Sequence, residues 1–501
     1  MKKIKEILKK LTGLRPSGFW PGFIVGLIYF SCIFRWYWPL YPLTDWGIES
    51  NVLSFILILF MFFLSVAGTA FFWGLFSFLI NKLNKKNKFY LIPLMAAGTF
   101  VLAEYLRAWG FGFLWLGSGS LLGPHWTLGN PAYLFVSWPF ILKVSSVWGI
   151  YGIDFLLVWT ISTVFLLATG KYVVNSKSFS LNLGLIILAF SLTIGLSTKN
   201  NGAMTPNTIK VTLIQTMDAT RFKFSADEVL NNYTKKLEML KEAASTVGGG
   251  IVIFPESSNF SKTLLNFLDD VSAKDYFNRL SDKEFIVIDN NILPDEESYK
   301  SRTLFINSKN GVSDFYDKQL LTPAGEYIPY VLRLLLFTLG KSALTLESSG
   351  LKMGTHPELL NYKNLQIKIL VCSDVVSPSI SSQDQYGLLI FLQNLGVFKG
   401  SKAIESQFLS LLRFRAAENG KYAVLASNFG RSYVINNSGN IVKSTDSSGY
   451  QILTADVVPN KERTWYNKLG DLPILLLSLA IFGYSVLVRL KHGPGNPPRW
   501  A

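Results

Sequence analysis

Hydrophobic and polar positions are distributed unevenly along the chain. Apolar residues crowd the first 200 positions and the last 30, in runs long enough to cross a hydrocarbon core, which takes about 20 residues of helix. Six spans are predicted, at residues 19–38, 53–80, 89–106, 148–169, 181–196 and 472–488. Lysine-rich stretches stand beside them: MKKIKEILKK before the first, NKLNKKNK after the second, residues 171–177 after the fourth, and VRLKH at the end of the last. If these basic stretches are all cytoplasmic, everything between the fifth and sixth spans lies on the outer face. No small-residue cleavage site follows the first run, so it reads as a retained span rather than a signal peptide.

Between these spans the pattern changes. Four regions follow: a membrane region over 1–200 with about five spans, a globular domain over 206–468, a span over 472–490, and a short tail over 491–501. Within the domain, IKVTLIQ, IVIF, EFIVIDNNIL, LQIKILV, LLIFLQN, YAVLASN and ILTADVV read as strands. DEVLNNYTKKLEMLKEAA has a helical period, with Asp227 and Glu228 favouring its N-terminus, and a second helix is expected over about 401–418. SRTLFINSKNGVSDFY and SYVINNSGNIV read as hairpins. Alternating strands and helices with interspersed hairpins predict an α/β layered sandwich of mixed pairing.

Composition adjusts this picture at two points. Hydrophobic residues make up 49% of the 501 positions and aromatics 14%, which fits a membrane protein with one large globular domain. Lys and Arg number 48 against 33 Asp and Glu, a net charge of +15. Much of that excess flanks the apolar runs, so sidedness in a membrane explains it without a nucleic-acid partner.

Candidate chemistry is confined to few residues. The three histidines, His125, His356 and His492, are scattered and no G-x-S-x-G accompanies them. Ligand spacing for a metal is missing, as are a G-x-G-x-x-G and a P-loop at a strand-to-helix junction. Of the two cysteines, Cys32 lies in an apolar run and Cys372 follows the strand LQIKILV. Cys372 reads either as a nucleophile on the loop leaving that strand or as a small core residue. Glu256 follows the strand IVIF and Lys318 lies in a polar loop after FYD. Together they supply a general base, a cation that favours the thiolate and steadies an oxyanion, and a nucleophile. Glu326, eight residues past Lys318, is near enough in sequence to hold the lysine. For Glu256 and Lys318 the plain alternative is a solvated loop position.

These stretches resemble the nitrilase superfamily, and within it the membrane-bound apolipoprotein N-acyltransferases. Pro255, Glu256 and Ser257 match P-E-[ST]. Tyr316, Lys318, Leu321, Pro323, Gly325, Glu326 and Pro329 match Y-x-K-x-x-L-x-P-x-G-E-x-x-P, and Glu104 to Arg107 match E-[WY]-L-R. The resemblance implies a nitrilase-like α-β-β-α sandwich, here inserted in the bundle of about six transmembrane helices read from the apolar runs, where the family usually has eight. Cys372 would be the nucleophile, Glu256 the base and Lys318 the oxyanion-stabilising lysine, with Glu326 accessory and no cofactor or metal. It further implies a bacterial cytoplasmic membrane with the domain on its outer face. An acyl chain would pass from a phospholipid through a Cys372 thioester to the diacylglyceryl-cysteine amine of a lipoprotein. The chain departs from the pattern at three places: C-Y-E is Cys372, Ser373 and Asp374; N-D-x-W-F is Asn394 to Phe398; and an expected tryptophan is Phe224. These differences surround the acyl pocket and acceptor site. Ser373 and Asp374 therefore join the candidate site as accessory residues.

Two other functions compete. A membrane-anchored amidase or hydrolase would keep the same three residues and transfer to water, and a non-catalytic protein would keep the fold as a binding module. A transporter is less well supplied, because spans one to five contain few ionisable residues and no discontinuous pair. Arg35, Glu104, Arg107 and Asp154 are expected near span ends, snorkelling or paired between helices.

Overall fold

The computed structural model describes residues 18–84, 91–169, 177–198, 208–220, 224–295, 298–341, 350–355, 359–382, 384–446 and 449–491. The basic N-terminal arm, most of both basic loops, His356, His492 and the C-terminal tail lie outside them. Among the described residues, five helices are long and apolar enough to cross a membrane: Phe19–Leu40, Asn51–Leu83, Pro139–Ala168, Phe179–Ser197 and Leu472–Leu490.

The expected span at 89–106 is the exception. It is a helix, Ile92–Leu114, but not one of those five. Glycine, threonine and the charged Glu104 and Arg107 dilute its apolar content. It packs against the helices Asn51–Asn84, Pro139–Ala168 and Leu472–Lys491, with Ala97, Val101 and Ala108 fully buried. A helix so sheltered by protein needs less apolar surface than one facing lipid. The fourth helix also departs from expectation, starting at Pro139 rather than near 148. It breaks at Gly149, whose φ of 63° and ψ of −169° leave the helical region. A β-carbon there would come within 2.1 Å of the Tyr466 ring, so the break and the close approach both require glycine.

The globular part contains strands β1 (Ile209–Gln215), β2 (Ile251–Ile253), β3 (Ile286–Asp295), β4 (Ser298–Asn307), β5 (Gly311–Asp317), β6 (Leu360–Tyr362), β7 (Leu365–Val371), β8 (Leu388–Asn394), β9 (Tyr422–Asn428), β10 (Tyr433–Ile435), β11 (Ile441–Ser444) and β12 (Gln451–Val457). They form two six-stranded sheets, ordered β12-β1-β2-β3-β4-β5 and β11-β10-β9-β8-β7-β6. Each sheet has a parallel triplet, β1–β2–β3 or β7–β8–β9. Each triplet continues into antiparallel neighbours, β4 and β5 or β10 and β11, and is flanked by one antiparallel strand, β12 or β6. The two sheets thus repeat one plan.

Period-two burial explains the layers. Val211, Leu213, Ile251, Ile253, Ile286 and Ile288 join the core shared with Ile367, Ile369, Val371 and Ile390 of the second sheet. The alternate residues Ile214, Val252, Phe254 and Val287 pack with Met239, Leu240, Ala243 and Val247 of the helix Ala226–Val247. Ser225 and Glu228 form a capping box at the start of that helix. On the outside of the second sheet, Phe391 meets Phe408 of the helix Lys402–Asn419 at 6.3 Å between ring centroids. The result is helix, sheet, sheet, helix, which is the layering implied by the resemblance.

Candidate active site

Parallel strands expose their C-terminal ends together, and the candidate residues gather there. Glu256 lies three residues beyond β2, Lys318 directly follows β5, and Cys372 directly follows β7, opening the short 3-10 turn Cys372–Val376. Residues 62 positions apart in sequence are thereby brought into contact: the Lys318 Nζ donates to Glu256 Oε1 at 3.0 Å and to Glu326 Oε1 at 2.9 Å. Lys318 is 1% exposed, Glu256 6% and Cys372 8%, so the plain reading of Glu256 and Lys318 as solvated loop residues is excluded.

Both glutamates are fixed from the other side. Glu256 Oε2 accepts the Asn394 N–H at 2.9 Å, and Glu326 Oε2 accepts the Thr322 N–H at 2.7 Å. Cys372 has a φ of +47°, a left-handed conformation that costs a non-glycine residue of order 1–3 kcal/mol and persists only when neighbours enforce it. Ser373 and Asp374 supply that enforcement. Ser373 donates to the Leu320 carbonyl and accepts from Thr322 Oγ1 at 3.1 Å. Asp374 Oδ1 accepts the Leu320 N–H at 2.7 Å, while Oδ2 accepts the Tyr316 hydroxyl at 2.9 Å and the Val371 N–H at 3.0 Å. The turn bearing the thiol is therefore bolted to the loop bearing the ammonium.

The electrostatics modify one expectation. Burial raises the Glu256 carboxyl above its usual value; the Lys318 charge opposes this and Glu326 reinforces it. Burial alone would depress the Lys318 ammonium, but the two carboxylates outweigh it and hold the group well above the usual lysine range. Burial also pushes the Cys372 thiol well up, Glu256 adds to the rise, and Lys318 offsets only part of it. Lys318 therefore does not bring the thiol below its usual range.

The connection between the third and fourth helices reaches this site, a link that motif reading missed. Thr127 Oγ1 donates to the Val376 carbonyl at 2.5 Å, and His125 Nδ1 lies 2.9 Å from Ser377 Oγ and 3.2 Å from Ser379 Oγ. The signal available was length, because a connection of residues 110–138 is too long for a passive turn. On the opposite flank, Tyr327 donates its hydroxyl to the Trp115 carbonyl at 2.8 Å, and the Tyr330 N–H donates to Leu116 O at 2.8 Å. The helix Tyr330–Thr338 follows, burying Leu332 and Leu336 while exposing Tyr330, Leu334 and Phe337. A cavity of about 320 Å³ adjoins Glu256, walled by Asp218, Asn232, Lys236, Ser257 and Asn394 among others, with none of Glu256, Lys318 or Cys372 in its lining.

Comparison with known proteins gives four findings. The family profile described as "Carbon-nitrogen hydrolase" matches residues 211–467. The chain is 24% identical over 505 residues to the apolipoprotein N-acyltransferase of Pasteurella multocida, covering 97% of this chain and 88% of that one. It is 31% identical over 201 residues to the apolipoprotein N-acyltransferase of Prochlorococcus marinus, a match spanning only 36% of this chain and 39% of its relative. Among solved structures, a CN-hydrolase superfamily protein from Xanthomonas campestris matches at 18% identity and a TM-score of 0.37, covering 59% of this chain and all of that one.

Proposed function

The chain belongs to the carbon-nitrogen hydrolase family, and on that premise we propose that it is an N-acyltransferase moving a fatty acyl chain from a phospholipid to the α-amino group of a diacylglyceryl-cysteine on a lipoprotein. The observation that carries this reading is the water-poor cluster in which the Lys318 ammonium bridges Glu256 and Glu326 beside the Cys372 thiol. The name of the relatives, apolipoprotein N-acyltransferase, supports an apolipoprotein as acceptor and acyl transfer to nitrogen. The exposed apolar face of Tyr330–Thr338, tied by Leu116 to the end of a bundle helix, gives a lipid chain a dry approach.

The chemistry runs in two balanced steps. Glu256 takes the proton from Cys372 Sγ as the sulfur attacks the ester carbonyl, and Lys318 steadies the resulting oxyanion. Collapse breaks the C–O bond; Glu256 passes the proton to the leaving alkoxide, giving a lysophospholipid and a thioester. The lipoprotein amine then attacks the thioester, Glu256 accepts its proton, and collapse of the C–S bond forms the amide while the proton returns to sulfur. A Glu256 carboxyl raised above the ordinary range is better matched to these transfers near neutrality than an ordinary one. Ser373, Asp374 and Glu326 act through the groups they hold. The basic stretches support a domain on the outer face of a bacterial cytoplasmic membrane.

The test is conversion of a diacylated to a triacylated lipopeptide by the purified full chain in phospholipid vesicles. The reading requires conversion by the wild type and none by Cys372→Ala at equal folded protein. Turnover of the phospholipid with no transfer to the lipopeptide would instead identify a hydrolase.

A further inference from the structure

The cavity beside Glu256 lies over the carboxyl ends of parallel strands from both sheets. Asp218 follows β1, Ser257 and Ser258 follow β2, and Asn394 and Asn428 end β8 and β9. Crevices at such strand ends are where layered α/β folds take ligands. Its volume of about 320 Å³ sits at the lower end of the range for ligand sites, too small for a phospholipid.

Its lining mixes apolar side chains such as Val229, Phe260 and Ile292 with polar groups that carry no charge to spare. Lys236 Nζ is 2.5 Å from Asp218 Oδ2 and donates to the Ser258 carbonyl at 2.7 Å. Asp218 Oδ1 also accepts the Tyr450 hydroxyl at 2.6 Å. A phosphate head group calls for a cation free to pair with it, and here the ammonium is already spent. What the walls offer instead are the amides of Asn232 and Asn394, beside side chains such as Asn259 and Thr263 that already bond the Ser257 and Asn259 carbonyls. Asn394 links them to the chemistry. Its backbone N–H holds Glu256, and its Oδ1 accepts from Thr220, Asn428 and Gly396 at 3.1, 2.9 and 2.9 Å. Among the described residues nothing accepts from its Nδ2, which leaves an amide donor one residue from the general base.

The geometry points to this cavity as the subsite for the peptide of the acceptor, seating the first few residues that follow its acylated cysteine by their backbone amides. This rests on the N-acyltransferase reading and deepens it: the donor lipid has no peptide, so the cavity serves only the second step. Asparagine amides pair with peptide N–H and C=O groups whatever the side chains, which suits an enzyme acting on lipoproteins of differing sequence.

The test separates the two steps. Asn232→Trp fills the cavity from the helix Ala226–Val247, and Thr263→Trp fills it from the opposite helix, Phe260–Phe267; neither residue belongs to the proposed catalytic cluster. Acyl-enzyme formation from phosphatidylethanolamine vesicles is followed by intact mass, then chased with a diacylglyceryl-cysteine lipopeptide of five residues or with the same lipid amino acid as its simple amide. Acyl-enzyme formation and the chase by the simple amide are expected to match wild type, while the chase by the pentapeptide slows about tenfold, some 1.4 kcal/mol of lost binding. Equal chase rates for both acceptors in both variants would overturn the subsite. A variant that folds but forms no acyl-enzyme would overturn it too, by giving the cavity to the donor. Absence of acyl-enzyme in the wild type would instead remove the N-acyltransferase reading beneath it.

Discussion

Among the described residues, two of the buried clusters that join carboxylates to a cation are built in opposite ways. In the membrane bundle, Arg107 Nε donates to Glu104 Oε2 at 2.9 Å from the same helix, and Arg107 Nη1 reaches the Leu128 carbonyl at 3.0 Å. Trp73 and Asn130 add donors to Glu104 at 2.7 and 3.3 Å, and Asn130 carries on to Asp154 at 2.5 Å. Every partner belongs to a bundle helix or to the connection that caps it. In the globular domain, Glu256 comes from one loop and Lys318 and Glu326 from another, and they stand beside a thiol at a strained backbone position. The first cluster closes on itself and ties helices to the connection. The second holds a carboxylate, an ammonium and a thiol together at the strand ends, the arrangement that the proposed acyl transfer needs. Burial of charge therefore marks function only where a reactive atom shares the site.

Breaking the two clusters should give opposite signatures. The largest effect is expected for Cys372→Ala, with transfer falling to background and thermal stability retained. Glu256→Gln and Lys318→Met come next, each lowering the rate of acyl-enzyme formation about 10²–10⁴-fold in single-turnover measurements. In the bundle, Arg107→Met leaves Glu104 buried without its cation. It should cost about 3–5 kcal/mol in stability, with specific activity per folded molecule largely kept. Adding Glu104→Gln should recover much of that loss, whereas no second substitution at Glu256 should rescue Lys318→Met.

Protonation sharpens the contrast. Acyl-enzyme formation requires ionised Glu256, so its acid limb should fall at a pH above ordinary carboxylate titration, as the upward shift of that group demands. Stability runs the other way. A folded-state value above the unfolded one means that the contribution of Glu256 is full below its unfolded pKa and lost as pH rises through the folded value. The group best placed for catalysis thus weakens the fold where it works. With the Cys372 thiol raised, alkylation by iodoacetamide should climb with pH through the alkaline range; a plateau at neutral pH would signal a resting thiolate. The smallest effect is expected at Tyr316→Phe, which removes one hydrogen bond to Asp374 and should cost about 0.5–1.5 kcal/mol by denaturant titration.

How much of this was legible in the sequence follows from what each feature depends on. The layered sandwich was legible because strands such as LQIKILV and helices such as Ala226–Val247 carry their own periodicity. Five of the six expected spans fall on helices long and apolar enough to cross a membrane, because the apolar runs that such helices need are visible in the sequence. The helix Ile92–Leu114 is not among them, since its neighbours in the bundle relieve that need. Nor was the position of Glu104, Arg107 and Asp154 legible; expected near span ends, they are found buried in the bundle, where Arg107 pairs with Glu104 of its own helix, Trp73 reaches Glu104 from a second helix and Asn130 of the connection holds Asp154. Glu256, Lys318 and Glu326 could be named from their motifs, yet their contact depends on two sheets meeting. The departures at Ser373 and Asp374 look like losses in sequence; in space they lock the Cys372 turn to the Lys318 loop. The reach of residues 115–133 to that turn had no local signal beyond the length of the connection.

The most direct test of the central claim is a mass measurement on the Cys372-containing peptide after the full-length protein has met phospholipid alone. The account predicts one acyl chain on that peptide, released by hydroxylamine and absent from Glu256→Gln on the same time scale. An unmodified Cys372, in a sample that still acylates a lipopeptide when one is supplied, would contradict it.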